Sequence, residues 1–308
     1  MLQSAPGIVL NRRNAGEADA IARVLLESGQ VREIRAHGVR KSRSRSNLLL
    51  EPGSLVHLTF YESEERPGVS VDSVIFASLK EGHVLERYGA LKDAGYDGLL
   101  ILSYFLELAT FGSRAGDSPE LFLLLKGTLE ELAAPRAVGL KSYRFTLLSI
   151  FFKARVLKNL GLVGDARSCA ECGGELKDLA LWNLPEVFFS CDNCATGANA
   201  PDAYSARIVA AAVGMRFGKF AQYLAGWLSP SSAGTGAKDS SGATGSPTPT
   251  TGATRSPPAA SAGDPVDVQT RELPAWVYHT EERLLQCMEH YQGGPMRAAT
   301  QLREQLRL

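Results

Sequence analysis

The sequence predicts an α+β protein with a small five-stranded barrel at the N-terminus, followed by an all-helical domain that carries a four-cysteine zinc ribbon. Three observations support this fold class. About eighty residues have the apolar pattern of strands, the next eighty or so have that of helices, and two Cys-x-x-Cys pairs follow them. Because the helices follow the strands instead of alternating with them, the two kinds of structure should form separate parts.

Five short runs rich in β-branched and aromatic residues predict the strands of the barrel. These runs are residues 7–10, 20–26, 31–36, 54–61 and 69–76, and they are separated by turn residues. Five strands in this length favour a small closed barrel of the oligonucleotide/oligosaccharide-binding (OB) type. An open five-stranded sheet is an alternative, because the number of strands does not fix their topology.

Helical periodicity begins near His83 and predicts helices at residues 96–110, 120–132 and about 138–160. Asp117-Ser118-Pro119 is a start signal for the second of them. Helical spacing returns at residues 276–291 and 296–308. Between these two groups, all but four of residues 229–265 are Ser, Gly, Ala, Thr or Pro, which predicts a disordered linker.

The chain is therefore expected to divide into six segments. They are an OB-fold-like domain at 1–80, a helical domain at 81–165 that continues at 201–228, a zinc-ribbon insertion at 166–200, a linker at 229–265, and C-terminal helices at 266–308.

Composition excludes several classes of protein. Five cysteines in 308 residues are too few for a disulfide scaffold, and 44% hydrophobic residues are too many for a disordered chain. The 33 Lys and Arg residues balance 33 Asp and Glu residues, which excludes a globally basic nucleic-acid binder. Charged residues interrupt the apolar runs before the ~18 to 20 residues that span a bilayer. Without an export signal, a cytoplasmic protein with no membrane contact is expected.

The two Cys-x-x-Cys pairs are the sharpest chemical signal. Cys169 and Cys172 form the first pair, Cys191 and Cys194 form the second, and 18 residues separate them. This spacing is typical of a zinc ribbon, and four thiolate ligands leave no open coordination position, so the zinc would be structural. Gly173-Gly174 can adopt the unusual backbone angles beside the first pair. Two disulfides or an iron–sulfur cluster are the alternatives.

A cationic segment is hidden by the neutral total charge. Between residues 32 and 45 there is a single acid, Glu33, among six cations. The cations are Arg32, Arg35, Arg40, Lys41, Arg43 and Arg45. Clustered cations on a loop between barrel strands predict contacts with nucleic-acid phosphates, and a solvated hairpin with incidental charge is the alternative.

A second cationic region lies between Leu132 and Gly164, where no Asp or Glu occurs. Several of its cations, including Arg144 and Arg155, fall on one side of the predicted helix. They could contact nucleic acid or an acidic protein, or they could extend from an otherwise buried helix.

Enzyme motifs are absent from the sequence. It contains no phosphate-binding glycine loop, no nucleophile elbow and no His-Glu-x-x-His motif, and its five histidines are scattered. We therefore expect a protein without catalytic activity.

The order of these features resembles the bacterial recombination mediator RecO family. The resemblance covers roughly residues 5 to 228. It is carried by Ile8-Val9-Leu10, Gly16-Glu17-Ala18-Asp19, His37-Gly38-Val39-Arg40-Lys41-Ser42, Tyr143-Arg144-Phe145, Leu160-Gly161 and the four cysteines.

The resemblance implies a non-catalytic, nucleoid-associated protein of DNA repair and recombination. Such proteins bind single- and double-stranded DNA, anneal complementary strands, work with RecR and single-stranded-DNA-binding protein, and help to load RecA. On this interpretation the six cations contact phosphates and the four cysteines hold a structural zinc. The alternative is a zinc-ribbon scaffold for protein interactions that does not itself bind DNA.

Overall fold

The computed structural model describes residues 1–39, 49–62, 76–134, 143–176, 181–183, 186–195, 200–228 and 273–306. The predicted linker at 229–265 lies outside these residues, as do the cations Arg40, Lys41, Arg43 and Arg45. None of the described helices is both long enough and apolar enough to cross a membrane.

The N-terminal strands close into a barrel, which confirms the first part of the predicted fold. The strands are β1 (Leu2–Ala15), β2 (Asp19–Leu26), β3 (Val31–Ala36), β4 (Leu55–Glu62) and β5 (Phe76–Glu86). Their order around the barrel is β1-β2-β3-β5-β4. Only the β3–β5 pair is parallel, and β4 returns to pair with β1. Alternating apolar residues such as Val24, Ile34 and Leu58 point inward and are buried.

The fifth strand differs from its prediction. It runs from residue 76 to 86, whereas the sequence pattern places it at 69–76, of which 69–75 lie outside the described residues. The strand contains Lys80, Glu81, Gly82 and His83, so it lacks the apolar, β-branched pattern that identifies strands. Pairing with both β3 and β4 determines its conformation, and it extends past residue 80, where the sequence places the end of the barrel domain.

The helical part follows the barrel and confirms the α+β class. Its helices are α1 (Gly89–Asp93), α2 (Gly95–Gly112), a short 3-10 turn (Ser113–Ala115), α3 (Pro119–Ala133), α4 (Tyr143–Asn159), α5 (Ala200–Gly214), α6 (Phe217–Leu228), α7 (Ala275–Gln292) and α8 (Arg297–Leu306). A two-stranded hairpin, β6 (Leu181–Asn183) and β7 (Phe188–Ser190), lies between α4 and α5. Helix α3 begins at the predicted signal, where the Ser118 hydroxyl accepts a hydrogen bond from the Leu121 N–H.

The barrel has its own interior core and also contributes residues to the hydrophobic core of the helical part. Ile8, Leu25 and Leu55 of the barrel belong to the same buried cluster as the apolar residues of α2 and α3. At this junction Gly29 has a φ of +86°, and a Cβ there would lie 2.2 Å from backbone atoms of Ser118. Because only glycine fits this contact, the β2–β3 turn can pack directly against the start of α3.

Three cations of α4 bind other parts of the protein. Lys153 is fully buried and forms an ion pair with Glu281 of α7. Arg155 donates hydrogen bonds to the carbonyl oxygens of Ala212 and Met215 at the end of α5, and Arg144 pairs with Glu131. These three cations of α4 therefore stabilise the fold.

Candidate metal centre and nucleic-acid interface

The four predicted ligand cysteines lie on two turns that the β6–β7 hairpin brings together. Trp182 and Phe189 of the hairpin are buried in the helical core. The Ala170 N–H donates to the Phe189 carbonyl oxygen at 2.9 Å, which ties the first cysteine turn to the second strand. The hairpin thus anchors the ribbon in the core and leaves the cysteine turns at its outer end.

The cysteine geometry fits a tetrahedral metal ion. All four Sγ atoms lie within 4.8 Å of one another, and those of Cys172 and Cys191 are 3.8 Å apart. Zinc–sulfur bonds of about 2.3 Å in a tetrahedron require sulfur–sulfur distances of about 3.8 Å. A disulfide needs about 2.05 Å, and all five cysteines are free thiols. The four cysteines could therefore hold a metal ion such as zinc.

Backbone hydrogen bonds prepare one sulfur for this role. N–H groups of Cys172 and Cys191 lower the pKa of Cys169 to about 6, which favours the thiolate form that binds a metal ion. Hydrogen bonds with the thiols of Cys191 and Cys172 raise the pKa of Cys194 to about 12. Gly173 has a φ of +70°, as the sequence leads one to expect, and its N–H donates to the Cys169 carbonyl oxygen. This is the tight turn that aims two sulfurs at one point.

The ribbon surface is acidic. Its exposed charged side chains among the described residues 163–176 and 186–195 are Asp165, Glu171, Glu175, Glu186, Asp192 and Arg167. Four thiolates around a divalent zinc ion would add two further negative charges. This part of the molecule therefore disfavours contact with a phosphate backbone.

The two described cations of the predicted interface are paired with acids. The Arg32 side chain is 14% exposed, and its Nε donates to Glu62 Oε1 at 2.9 Å. The Arg35 side chain is 48% exposed and pairs with Asp19 at 2.9 Å. Arg32 therefore stabilises the barrel wall, whereas Arg35 also presents its guanidinium to solvent.

Asp19 organises the end of β3, next to the predicted basic loop. Its carboxylate accepts hydrogen bonds from the Gly38 N–H and from Arg35, and its Oδ2 lies 3.0 Å from His37 Nδ1. The Gly38 N–H is the main cause of a lowered Asp19 pKa, and the bonds with Arg35 and His37 add to it. The carboxylate thus fixes the backbone at Gly38, shortly before Arg40, the first of the four cations that lie outside the described residues.

Comparison with known proteins now connects these features to a family. The family described as "Recombination protein O N terminal" matches residues 1–75, and "Recombination protein O C terminal" matches residues 94–222. The chain belongs to the recombination protein O (RecO) family. The DNA repair protein RecO of Frankia casuarinae is 32% identical over 66% of this chain and 78% of its own length. That of Leptospira biflexa is 29% identical over 61% of this chain and 70% of its own length.

The RecO matches span both features described above. The first covers most of the barrel, and the second includes all four clustered cysteines. Membership of the RecO family confirms the predicted resemblance and supports a role in DNA repair and recombination.

Sequence reasoning missed one feature of this RecO-family barrel. Lys80, His83 and Arg87, on β5 and just after it, line a concavity together with His37. The available signal was the polar run Lys80-Glu81-Gly82-His83, but without a partner strand in view it resembles the start of a helical region.

Proposed function

We propose that this chain is a non-catalytic recombination mediator that binds single- and double-stranded DNA through its barrel. The observation that carries the proposal is a closed five-stranded barrel whose β3 end is fixed by Asp19, directly before Arg40, Lys41, Arg43 and Arg45. Clustered cations give a salt-dependent attraction to phosphates. Loops of OB-type barrels commonly hold single strands.

In this proposal the zinc ribbon is a structural brace. Cys169, Cys172, Cys191 and Cys194 hold the ion, and the ribbon's acidic surface faces away from bound DNA. The barrel at 1–80, the helical segments at 81–165 and 201–228 with the ribbon at 166–200, the linker at 229–265 and the C-terminal helices at 266–308 then form the working parts. The helices would present surfaces to RecR and to single-stranded-DNA-binding protein, and the complex would anneal strands and promote RecA loading in the cytoplasm.

Salt-resolved DNA binding tests the proposal. A fluorescently labelled dT oligomer is titrated with wild type and with Arg40→Gln/Lys41→Gln/Arg43→Gln/Arg45→Gln at several salt concentrations. If all four side chains contact phosphates, the slope of log affinity against log salt should flatten by about 2.8, since each single-strand contact contributes about 0.7. The quadruple variant should also anneal complementary strands more slowly.

Arg32 and Arg35, the two cations on β3, provide comparison variants for the same experiment. Arg32 is paired and mostly buried, so Arg32→Gln should leave the salt slope unchanged even where it lowers stability. Arg35→Gln should flatten the slope by about 0.7 if Arg35 exchanges Asp19 for a phosphate. Wild-type protein that binds no DNA at physiological salt would instead favour the protein-interaction scaffold.

A further inference from the structure

A concavity opens on the barrel between the end of β3 and the strand β5. Its volume is about 790 Å³, within the range of ligand pockets. The charged and imidazole side chains that line it are His37, Lys80, Glu81, His83 and Arg87. Apolar residues, including Val39 and Leu49, complete the wall.

Two cations in this concavity are available to a ligand. Lys80 and Arg87 are exposed, and no salt bridge joins either of them to another residue of the described parts of the chain. This separates them from Arg32 and Arg35, which are paired with carboxylates. Glu81 is the acidic side chain of the lining, so the cations exceed the acid before the histidines are counted.

The two histidine rings of the wall are held in place. His83 stacks on His57, its direct cross-strand partner on β4, with ring centroids 5.3 Å apart and an interplanar angle of 20°. His37 lies between Asp19 and Ser78, with its ring nitrogens 3.0 and 3.2 Å from their oxygens. Fixed rings lower the entropic cost of ordering the wall around a bound strand.

Residues 40–48, which include the last four cations of the cationic segment, connect two residues of the concavity wall. Val39 and Leu49 are buried and line the wall, and the nine residues between them include Arg40, Lys41, Arg43 and Arg45 but no acid. The two residues that flank these cations in the sequence therefore lie at the wall that carries Lys80 and Arg87.

We propose that the concavity is a phosphodiester-binding site, in which Lys80 and Arg87 contact the backbone of a bound DNA strand. The inference rests on the proposed DNA-binding function and adds the second group of contacts on β5 and after it. Its ligand is the phosphate backbone, which single-stranded and duplex DNA share.

The test measures binding of a labelled dT oligomer and of a labelled duplex by the full chain at several salt concentrations. Lys80→Gln/Arg87→Gln should flatten the slope of log affinity against log salt by about 1.4 with the oligomer or about 1.8 with the duplex. The DNA for which the slope flattens is the form of DNA that the concavity binds. Glu81→Gln should raise affinity, a gain that misfolding does not imitate. Arg216→Gln/Lys219→Gln removes the same charge from exposed positions on and just before α6, and it should leave both slopes unchanged.

The possible failures are distinguishable. If wild type binds DNA and the quadruple segment variant weakens that binding, but Lys80→Gln/Arg87→Gln leaves both slopes unchanged, the concavity site alone is refuted. Equal losses in the Arg216/Lys219 control refute it as well, because the effect is then one of net charge. If wild type binds neither DNA, the proposed function fails and the concavity site fails with it.

Discussion

Replacing Lys153 with Met should destabilise the protein by separating a buried charge from its partner. Lys153 of α4 is fully buried and donates to the backbone carbonyl oxygen of Glu281 at 2.8 Å and to its carboxylate. The Glu281 carboxylate also accepts hydrogen bonds from Ser149 Oγ at 2.8 Å and from Tyr104 OH at 3.1 Å. Met fills the volume of the lysine stem without its ammonium, so the variant tests charge and not packing.

The size of the expected stability loss depends on the hydrogen bonds that Glu281 keeps when Lys153 is replaced. Removing one partner of a buried pair costs about 3–5 kcal/mol, because the other charge is left uncompensated. Glu281 retains two hydroxyl donors and its side chain is 17% exposed, so we expect the lower end, about 3 kcal/mol. At about 2–4 °C per kcal/mol for a chain of this size, Tm should fall by about 6–12 °C.

Removing both charges should restore most of this loss. In Lys153→Met/Glu281→Met no buried charge is left, and the hydroxyls of Tyr104 and Ser149, 3.0 Å apart, still bond to each other. Urea unfolding followed by far-UV circular dichroism, at constant zinc and with equal m-values, measures Lys153→Met, Glu281→Met and the double variant. The reasoning is refuted if Lys153→Met lies within about 0.5 kcal/mol of wild type, or if the two single effects simply add in the double variant.

Three further predictions concern the cysteines, the barrel junction and acid stability. Cys172→Ser should bind less than one zinc ion per chain and should have a lower Tm, and a chelator should lower the Tm of wild type in the same way. The control is Cys287→Ala, which changes a buried cysteine of α7 and should keep one zinc ion per chain by elemental analysis. Gly29→Ala should cost more than about 1 kcal/mol of unfolding free energy and more than Gly16→Ala, because both glycines have positive φ but only at Gly29 would the Cβ meet backbone atoms; equal costs would contradict the close contact with Ser118. Asp19 has a pKa below its ordinary value of 3.8 in the folded protein, so its contribution to stability is present above about that pH and is lost as the pH falls through the folded pKa. In Asp19→Asn, the free energy of unfolding should therefore fall less steeply below pH 4 than it does in wild type. An equally steep fall in the two proteins would show that the Gly38 contact is not formed in solution.

Local patterns in the sequence were sufficient for the barrel, the helical part and the cysteine ribbon. The short apolar runs of β2 and β3, the Ser118-Pro119 start signal and the Cys-x-x-Cys spacing all depend on residues close together in the chain. The strand that continues from residue 76 to 86 was missed for the opposite reason. Its residues resemble a strand only when β3 and β4 lie beside them, and that pairing is not visible in one segment alone.

The ion pairs of the cations were not predictable from the sequence for the same reason, because their partners are distant in the chain. Arg32, Arg35, Lys153 and Arg155 all belong to sequence segments rich in cations, yet each is bound within the fold. Their partners, Glu62, Asp19, Glu281 and the Ala212 and Met215 carbonyls, lie between 16 and 128 residues away. Lys80 and Arg87, with two acids between them in the sequence, form no such pair among the described residues. A paired cation must give up its carboxylate before it can bind a phosphate, so it gains less from contact with DNA than an unpaired cation does. For the described part of this barrel, we therefore expect long-range pairing to distinguish Arg32 and Arg35 from Lys80 and Arg87 as DNA contacts, a difference that the local density of Lys and Arg does not show.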